Sequence, residues 1–133
     1  MVVRNPARVY QGLAVHTADG PHLLIMMCER IAADLSRAES AIAEGDYAAC
    51  DENLQHAQRS VRLLRTALDP DGFRGGRELE SVYAFIEQHL VRANLEKSGA
   101  LVRESADLFR PIHEAWRRAV NVAELSGDGT HVG

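Results

Sequence analysis

Apolar residues recur three and four places apart through most of this chain. The clearest run lies between Asp46 and Leu68, where Tyr47, Cys50, Leu54, Ala57, Val61, Leu64 and Leu68 alternate steps of three and four. That repeat is the seam of a left-handed helix bundle, and Asp46 stands where its side chain can cap the first turn. From Pro21 to Glu44 the stripe is Leu24, Met27, Ile31, Leu35, Ala38 and Ile42. Asp19, Gly20 and Pro21 signal its start and Gly45 its end. A third stripe, over Arg77 to Ser98, comprises Leu79, Val82, Ile86, Leu90 and Ala93 with Tyr83 beside it. A fourth, over Ala100 to Leu125, comprises Leu101, Leu108, Ile112, Ala115, Ala119 and Val122. Both predict amphipathic helices. Pro111 withdraws the bond to the Asp107 carbonyl, which predicts a kink or break in the fourth.

Glycine marks the boundaries. Between residues 20 and 126 it stands only at Gly20, Gly45, Gly72, Gly75, Gly76 and Gly99. At ~1.5 Å per residue the four intervening helices would each run about 33 to 39 Å, lengths that suit one bundle. The connections at Gly45 and Gly99 are too short for anything but antiparallel neighbours, whereas Asp69 to Gly76 is a longer loop. The predicted fold is all-α, an antiparallel up-down four-helix bundle over residues 19–125. Residues 1–18 form an N-terminal tail with apolar beads Val9, Tyr10, Leu13 and Val15. Residues 126–133 read as a disordered C-terminal tail.

Composition narrows this further. With 133 residues, 46% hydrophobic and 26% charged, the chain has material for one packed core. Nineteen alanines and few aromatics argue against a β-sandwich. No apolar run reaches ~18 residues and no basic stretch precedes an apolar block at the start, so neither a membrane span nor a secretory signal is expected. The expected location is the cytoplasm. A net charge of −4 argues against a nucleic-acid partner. Every cation except Lys97 is arginine, which a GC-rich coding bias explains more cheaply than phosphate recognition.

Catalytic chemistry finds little support. A di-iron bundle needs Glu followed three residues later by His on two helices, and no such pair occurs. The six histidines form no ligand spacing. Cys28 and Cys50 would differ by about 18 Å in height on a hairpin turning at Gly45, too far for a disulfide, so both are expected as reduced thiols. No Gly-x-Ser-x-Gly elbow or phosphate-cradling loop is present. The expectation is a protein without catalytic residues, metal or cofactor. One alternative is a histidine phosphotransfer bundle using His56, with Arg59 three residues on, although Ser60 replaces the glycine such modules place there. The simpler reading of His56 is an exposed helical residue beside Ala57 and Val61.

Tyr10-Gln11-Gly12-Leu13-Ala14-Val15-His16-Thr17-Ala18 resembles the N-terminal signature of the FliS family of flagellar secretion chaperones. Ala41-Ile42, Gly45-Asp46-Tyr47, Ala57-Gln58, Leu68-Asp69, Gly75-Gly76, Leu79, Val82-Tyr83, Ala93-Asn94-Leu95 and Ala115-Trp116 follow in that family's order. The resemblance covers about residues 9 to 120. Three departures stand out: Cys28-Glu29-Arg30 replaces a Tyr-Asp-Gly, Asp19-Gly20 with Pro21 replaces a Ser-Pro, and Pro111 interrupts the last helix.

The resemblance implies a chaperone that binds the disordered C-terminal segment of flagellin, prevents its premature polymerisation and supports its type III export. Other flagellar export or regulatory proteins are further partners it implies. Tyr10 and Val15 would then form a removable cover over an apolar surface. Val61, Leu64, Leu68, Leu79, Val82, Tyr83 and Ile86 are candidates to line it, with Asn94 as a polar contact. Val61, Leu64 and Leu68 belong to the bundle seam and read as core before they read as ligand contacts, and Trp116 reads as a core anchor. Tyr83 could lay its ring on the surface with its hydroxyl in water.

Overall fold

The computed structural model describes residues 9–10 and 20–126. Four helices follow one another: α1 (Gly20–Glu44), α2 (Tyr47–Ala67), α3 (Gly76–Glu96) and α4 (Gly99–Ser126). Each packs on its neighbour in sequence and α4 closes on α1, so the helices form a ring with no diagonal pair among the described residues. Cross-helix pairs run in opposite directions. Asp51 of α2 meets Asn94 of α3 while Arg65 meets Glu87, and His89 of α3 meets Glu104 of α4 while Tyr83 meets Trp116. This is the antiparallel four-helix bundle that the periodicity predicts.

The turns follow from local chemistry. Gly45 adopts φ 74°, the left-handed conformation that ends a helix, and the Asp46 amide donates back to the Ala41 carbonyl at 2.8 Å. The Asp46 carboxylate then accepts from the Ala49 amide at 3.1 Å and caps α2. Asp19, the predicted cap of α1, lies outside the described residues, as do residues 127–133 of the predicted C-terminal tail. At the second short turn the left-handed residue is Lys97, at φ 50°, and not Gly99. The Ser98 hydroxyl accepts from the Leu101 amide at 3.2 Å and caps α4. Gly76 opens α3 against the long loop, where a Cβ would lie 2.1 Å from the Pro70 carbonyl oxygen.

The core departs from the predicted stripes in particular places. On α1, Cys28 is sealed in the core, whereas Met27 is half-buried. Tyr47, at the first position of α2, is 53% exposed. The buried face of α4 is Leu101, Val102, Ser105, Phe109, Ile112, Trp116, Ala119 and Val120, with Leu108 and Val122 outside. The stripe through Val102 wins because it buries Phe109 and Trp116, the largest apolar side chains available. Ser105 is accommodated on it because its hydroxyl donates to the Leu101 carbonyl at 3.1 Å. Helix α4 also runs through Pro111 without a break. Pro111 is exposed, so water can serve the carbonyl that it leaves unpaired. Cys28 and Cys50 are both buried free thiols.

Candidate functional site

The end of α2 builds a seat for the N-terminal tail. At Leu68 the chain turns extended (φ −68°, ψ 141°) and pairs with Tyr10 in an antiparallel bridge. The Asp69 amide donates to the Val9 carbonyl at 2.7 Å. This contact draws Val9 and Tyr10 into the hydrophobic core, where both are buried.

Tyr10 then makes contacts that its position in a glycine-containing tail did not require. Its ring meets Trp116 edge-on, with centroids 5.1 Å apart and planes at 61°. Its hydroxyl is hydrogen-bonded to the hydroxyl of Tyr83, which also accepts from Trp116 Nε1 at 3.3 Å. Tyr83 is therefore sealed with its oxygen inside the protein, contrary to the wet hydroxyl expected from sequence. Removal from water holds both tyrosine pKa values above their ordinary range, and the Tyr10–Tyr83 contact raises that of Tyr10 further. Burial likewise pushes the Cys28 thiol up to about 12, with Glu29 adding to the effect.

The other predicted site residues fall into distinct settings. Val61, Leu64 and Ile86 are fully buried, and Leu68 and Leu79 nearly so. Val82 is half-buried and, with Leu79, lines a groove of about 470 Å³ between α3 and α4, closed on the other side by Pro111, Ile112 and Ala115. Asn94 is about 16 Å along α3 from Tyr83. There it donates to Asp51 at 2.7 Å and accepts from Lys97 at 2.5 Å, which joins α2 to the end of α3. The Asn94 and Gln55 amides together hold the Asp51 carboxyl below the usual carboxylate range. Val15 lies outside the described residues.

Further apolar surface surrounds α3. Phe85 and Leu108 flank a hollow of about 390 Å³ between α3 and α4, with His89 bonded to Glu104 at 2.8 Å across it. On the α2 side Val91 and the largely exposed Leu95 line a groove of about 250 Å³ with Asn94. Apolar positions thus stand on both flanks of one helix.

His56 is not a free ring on an open face. It is half-buried, and its Nδ1 is 2.5 Å from Oδ2 of the fully buried Asp34. Arg30 and Arg37 reach the other oxygen of Asp34 at 3.1 and 3.6 Å, so the cluster clamps α1 to α2. Glu87 plays the matching part between α3 and α2, receiving Arg62 and Arg65. Neither acid was singled out from sequence, though Ile31, Asp34 and Ala38 share the three-four spacing of the α1 stripe. Among the described residues no group of three or more His, Cys, Asp or Glu converges on a metal-sized site. No described helix is long and apolar enough to cross a membrane.

Residues 3–123 match the family described as flagellar protein FliS. The chain is also 25% identical over 120 residues to the flagellar secretion chaperone FliS of Bacillus subtilis (strain 168), an alignment that covers 90% of each chain.

Proposed function

Because this chain belongs to the FliS family of flagellar proteins, we propose that it is a cytoplasmic export chaperone that holds the disordered C-terminal segment of flagellin until secretion. The observation that carries this reading is the seat of Tyr10. A tail residue fills an apolar site beside Tyr83 and Trp116, held to the bundle through the bridge at Leu68. Such a tail can leave, and the α3–α4 groove at Leu79 and Val82 lies on the same two helices as Tyr83 and Trp116.

An amphipathic flagellin segment would dock helical anchors there and along both flanks of α3, and would be kept from packing into a filament. Its ordering costs part of the energy gained on burial, which suits a ligand that must later be handed on. In this scheme Tyr10 and Val15 cover the surface, Leu68, Leu79, Val82 and Tyr83 line it, and Asn94 contributes a polar contact. Val61, Leu64 and Ile86 support it from within the core. The work is holding and release, with no bond made or broken. Other flagellar export or regulatory proteins are further partners on this reading.

Calorimetric titration with a synthetic flagellin C-terminal segment tests the proposal. The expected result is one-to-one binding with a negative heat-capacity change. Absence of binding at micromolar concentration refutes it. Removal of residues 1–18 is expected to raise affinity for the segment and also self-association, because it uncovers apolar surface. A fall in affinity would place the tail inside the binding surface instead.

A further inference from the structure

The α2 flank of α3 presents side chains that the bundle itself leaves unused. Its groove of about 250 Å³ has Gln58, Arg59 and Arg62 on the α2 wall and Val91 and Leu95 on the α3 wall. Leu95 is 82% exposed and Val91 43%, and a spacing of four puts them side by side on the helix. A single exposed leucine is ordinary. Here it stands beside a second exposed apolar side chain and two unpaired polar ones.

Most charges around this groove are answered within the protein. Arg62 and Arg65 both meet the buried Glu87, and Arg65 is also drawn to Glu80. At the other end Asp51 receives the Gln55 and Asn94 amides and faces Lys97. Arg59 is different. It is exposed, and its side chain makes no hydrogen bond or ion pair among the described residues. The same holds for the half-buried Gln58 beside it, whose amide can donate and accept. No acidic residue lines the groove, so Arg59 is a cation without a counter-charge in a chain whose net charge is −4.

We infer that this flank seats a helical segment of a partner protein that sets a carboxylate on Arg59 and Gln58 and apolar anchors on Val91 and Leu95. A carboxylate accepts from the guanidinium fork and from the Gln58 amide, and such charge-assisted bonds are the strong ones. On a helix, an acid three or four residues from an apolar anchor reaches the groove from the same face. A free anion or a nucleic-acid backbone would leave Val91 and Leu95 uncovered. An uncharged apolar helix would leave Arg59 and Gln58 unanswered. The partner is the flagellin segment of the proposed function, on which this assignment rests for its identity. The addition is the acid beside its anchors.

The test uses the full-length protein and a labelled synthetic helix of about four turns, with a Leu stripe at three- and four-residue spacing and Glu beside it. A second probe carries Lys in place of each Glu. Fluorescence anisotropy is expected to show saturable binding of the Glu probe, about tenfold weaker binding of the Lys probe, and affinity for the Glu probe that falls as salt is raised. Arg59→Glu is expected to weaken the Glu probe about tenfold and to strengthen the Lys probe. Leu95→Gln is expected to weaken both about fivefold. Arg74→Glu, the same charge change on the exposed long loop, should leave both within about twofold. The altered side chains are all exposed, and thermal melts establish that the variants fold.

Equal binding of the two probes or no binding of the Glu probe overturns the inference. So does a Glu probe that binds Arg59→Glu or Leu95→Gln as it binds the wild type. The flagellin segment separates this site from the proposed function. Loss of its affinity in both Arg59→Glu and Leu95→Gln supports the assignment, whereas unchanged affinity in both overturns it and leaves the proposed function standing. A flagellin segment that fails to bind the wild type, with the Glu probe bound through Arg59, refutes the proposed function and leaves the site for another partner of the same chemistry.

Discussion

Tyr10 can be dissected into its hydroxyl and its ring. Tyr10→Phe keeps the edge contact with Trp116 and removes only the bond to the Tyr83 hydroxyl. Tyr83 still accepts from Trp116 but is left short of a partner in a site sealed from solvent, at a cost of about 1–3 kcal/mol. Tyr10→Ala also removes a fully buried ring, for which losses run to about 3–5 kcal/mol. In a domain of this size 1 kcal/mol corresponds to about 4 °C in melting temperature, so the expected falls are roughly 4–12 °C and 12–20 °C.

Trp116, the chain's single tryptophan, lies against the altered residue and reports unfolding by fluorescence in thermal or urea titrations. Cys28 supplies a second readout. It is fully buried and close enough to contribute to the raised pKa of both tyrosines, so the Ala variant should expose it to thiol reagents faster than the wild type. If Tyr10→Ala costs no more than Tyr10→Phe, or either costs less than ~0.5 kcal/mol, the tail is not anchored as described.

Stability should fall as pH rises above about 9. Cys28 keeps its proton in the folded state up to about 12, against 9.0 ordinarily, and Tyr10 and Tyr83 keep theirs above the ordinary 10.0, so the folded state binds more protons than the unfolded one. Each group then lowers stability by up to ~1.4 kcal/mol per pH unit, and Cys28→Ala should flatten urea midpoints between pH 9 and 10. Gly76→Ala forces a Cβ to 2.1 Å from the Pro70 carbonyl oxygen and is expected to cost at least about 2 kcal/mol. Gly45→Ala meets nothing within 4 Å and should cost only about 1 kcal/mol for its left-handed backbone. Denaturant midpoints of the pair check that order. Asp34→Asn removes the charge that receives His56, Arg30 and Arg37, and a loss of about 1–3 kcal/mol by the same assay is expected.

Helix number, the Gly45 turn and the α2 seam were legible because each rests on local periodicity or one capping residue. The buried face of α4 was not. Leu108 and Phe109 are adjacent, and two stripes compete for the core. The winning one contains Ser105, whose polarity conceals its burial until its bond to the Leu101 carbonyl is seen. Asp34 and Glu87 are hidden for a related reason: their burial depends on arginines and a histidine from neighbouring turns or from α2. The Tyr10 seat was half legible. A tail aromatic could be singled out, but its contacts with Leu68, Tyr83 and Trp116 join positions far apart in sequence, and no local pattern encodes them.

The ring of helices bears on how quickly the protein reaches this state. Three of its four helix contacts join chain neighbours, and two of those pairs are linked by only two residues, Gly45–Asp46 and Lys97–Ser98. The α1–α2 and α3–α4 hairpins therefore close at little loop entropy. A chain with such local contacts folds in microseconds to milliseconds. The long-range step is closure of α4 on α1. Substitutions within either hairpin should then alter the folding rate more than the unfolding rate if that closure is the barrier, and the Tyr10 segment should dock last, on a finished bundle.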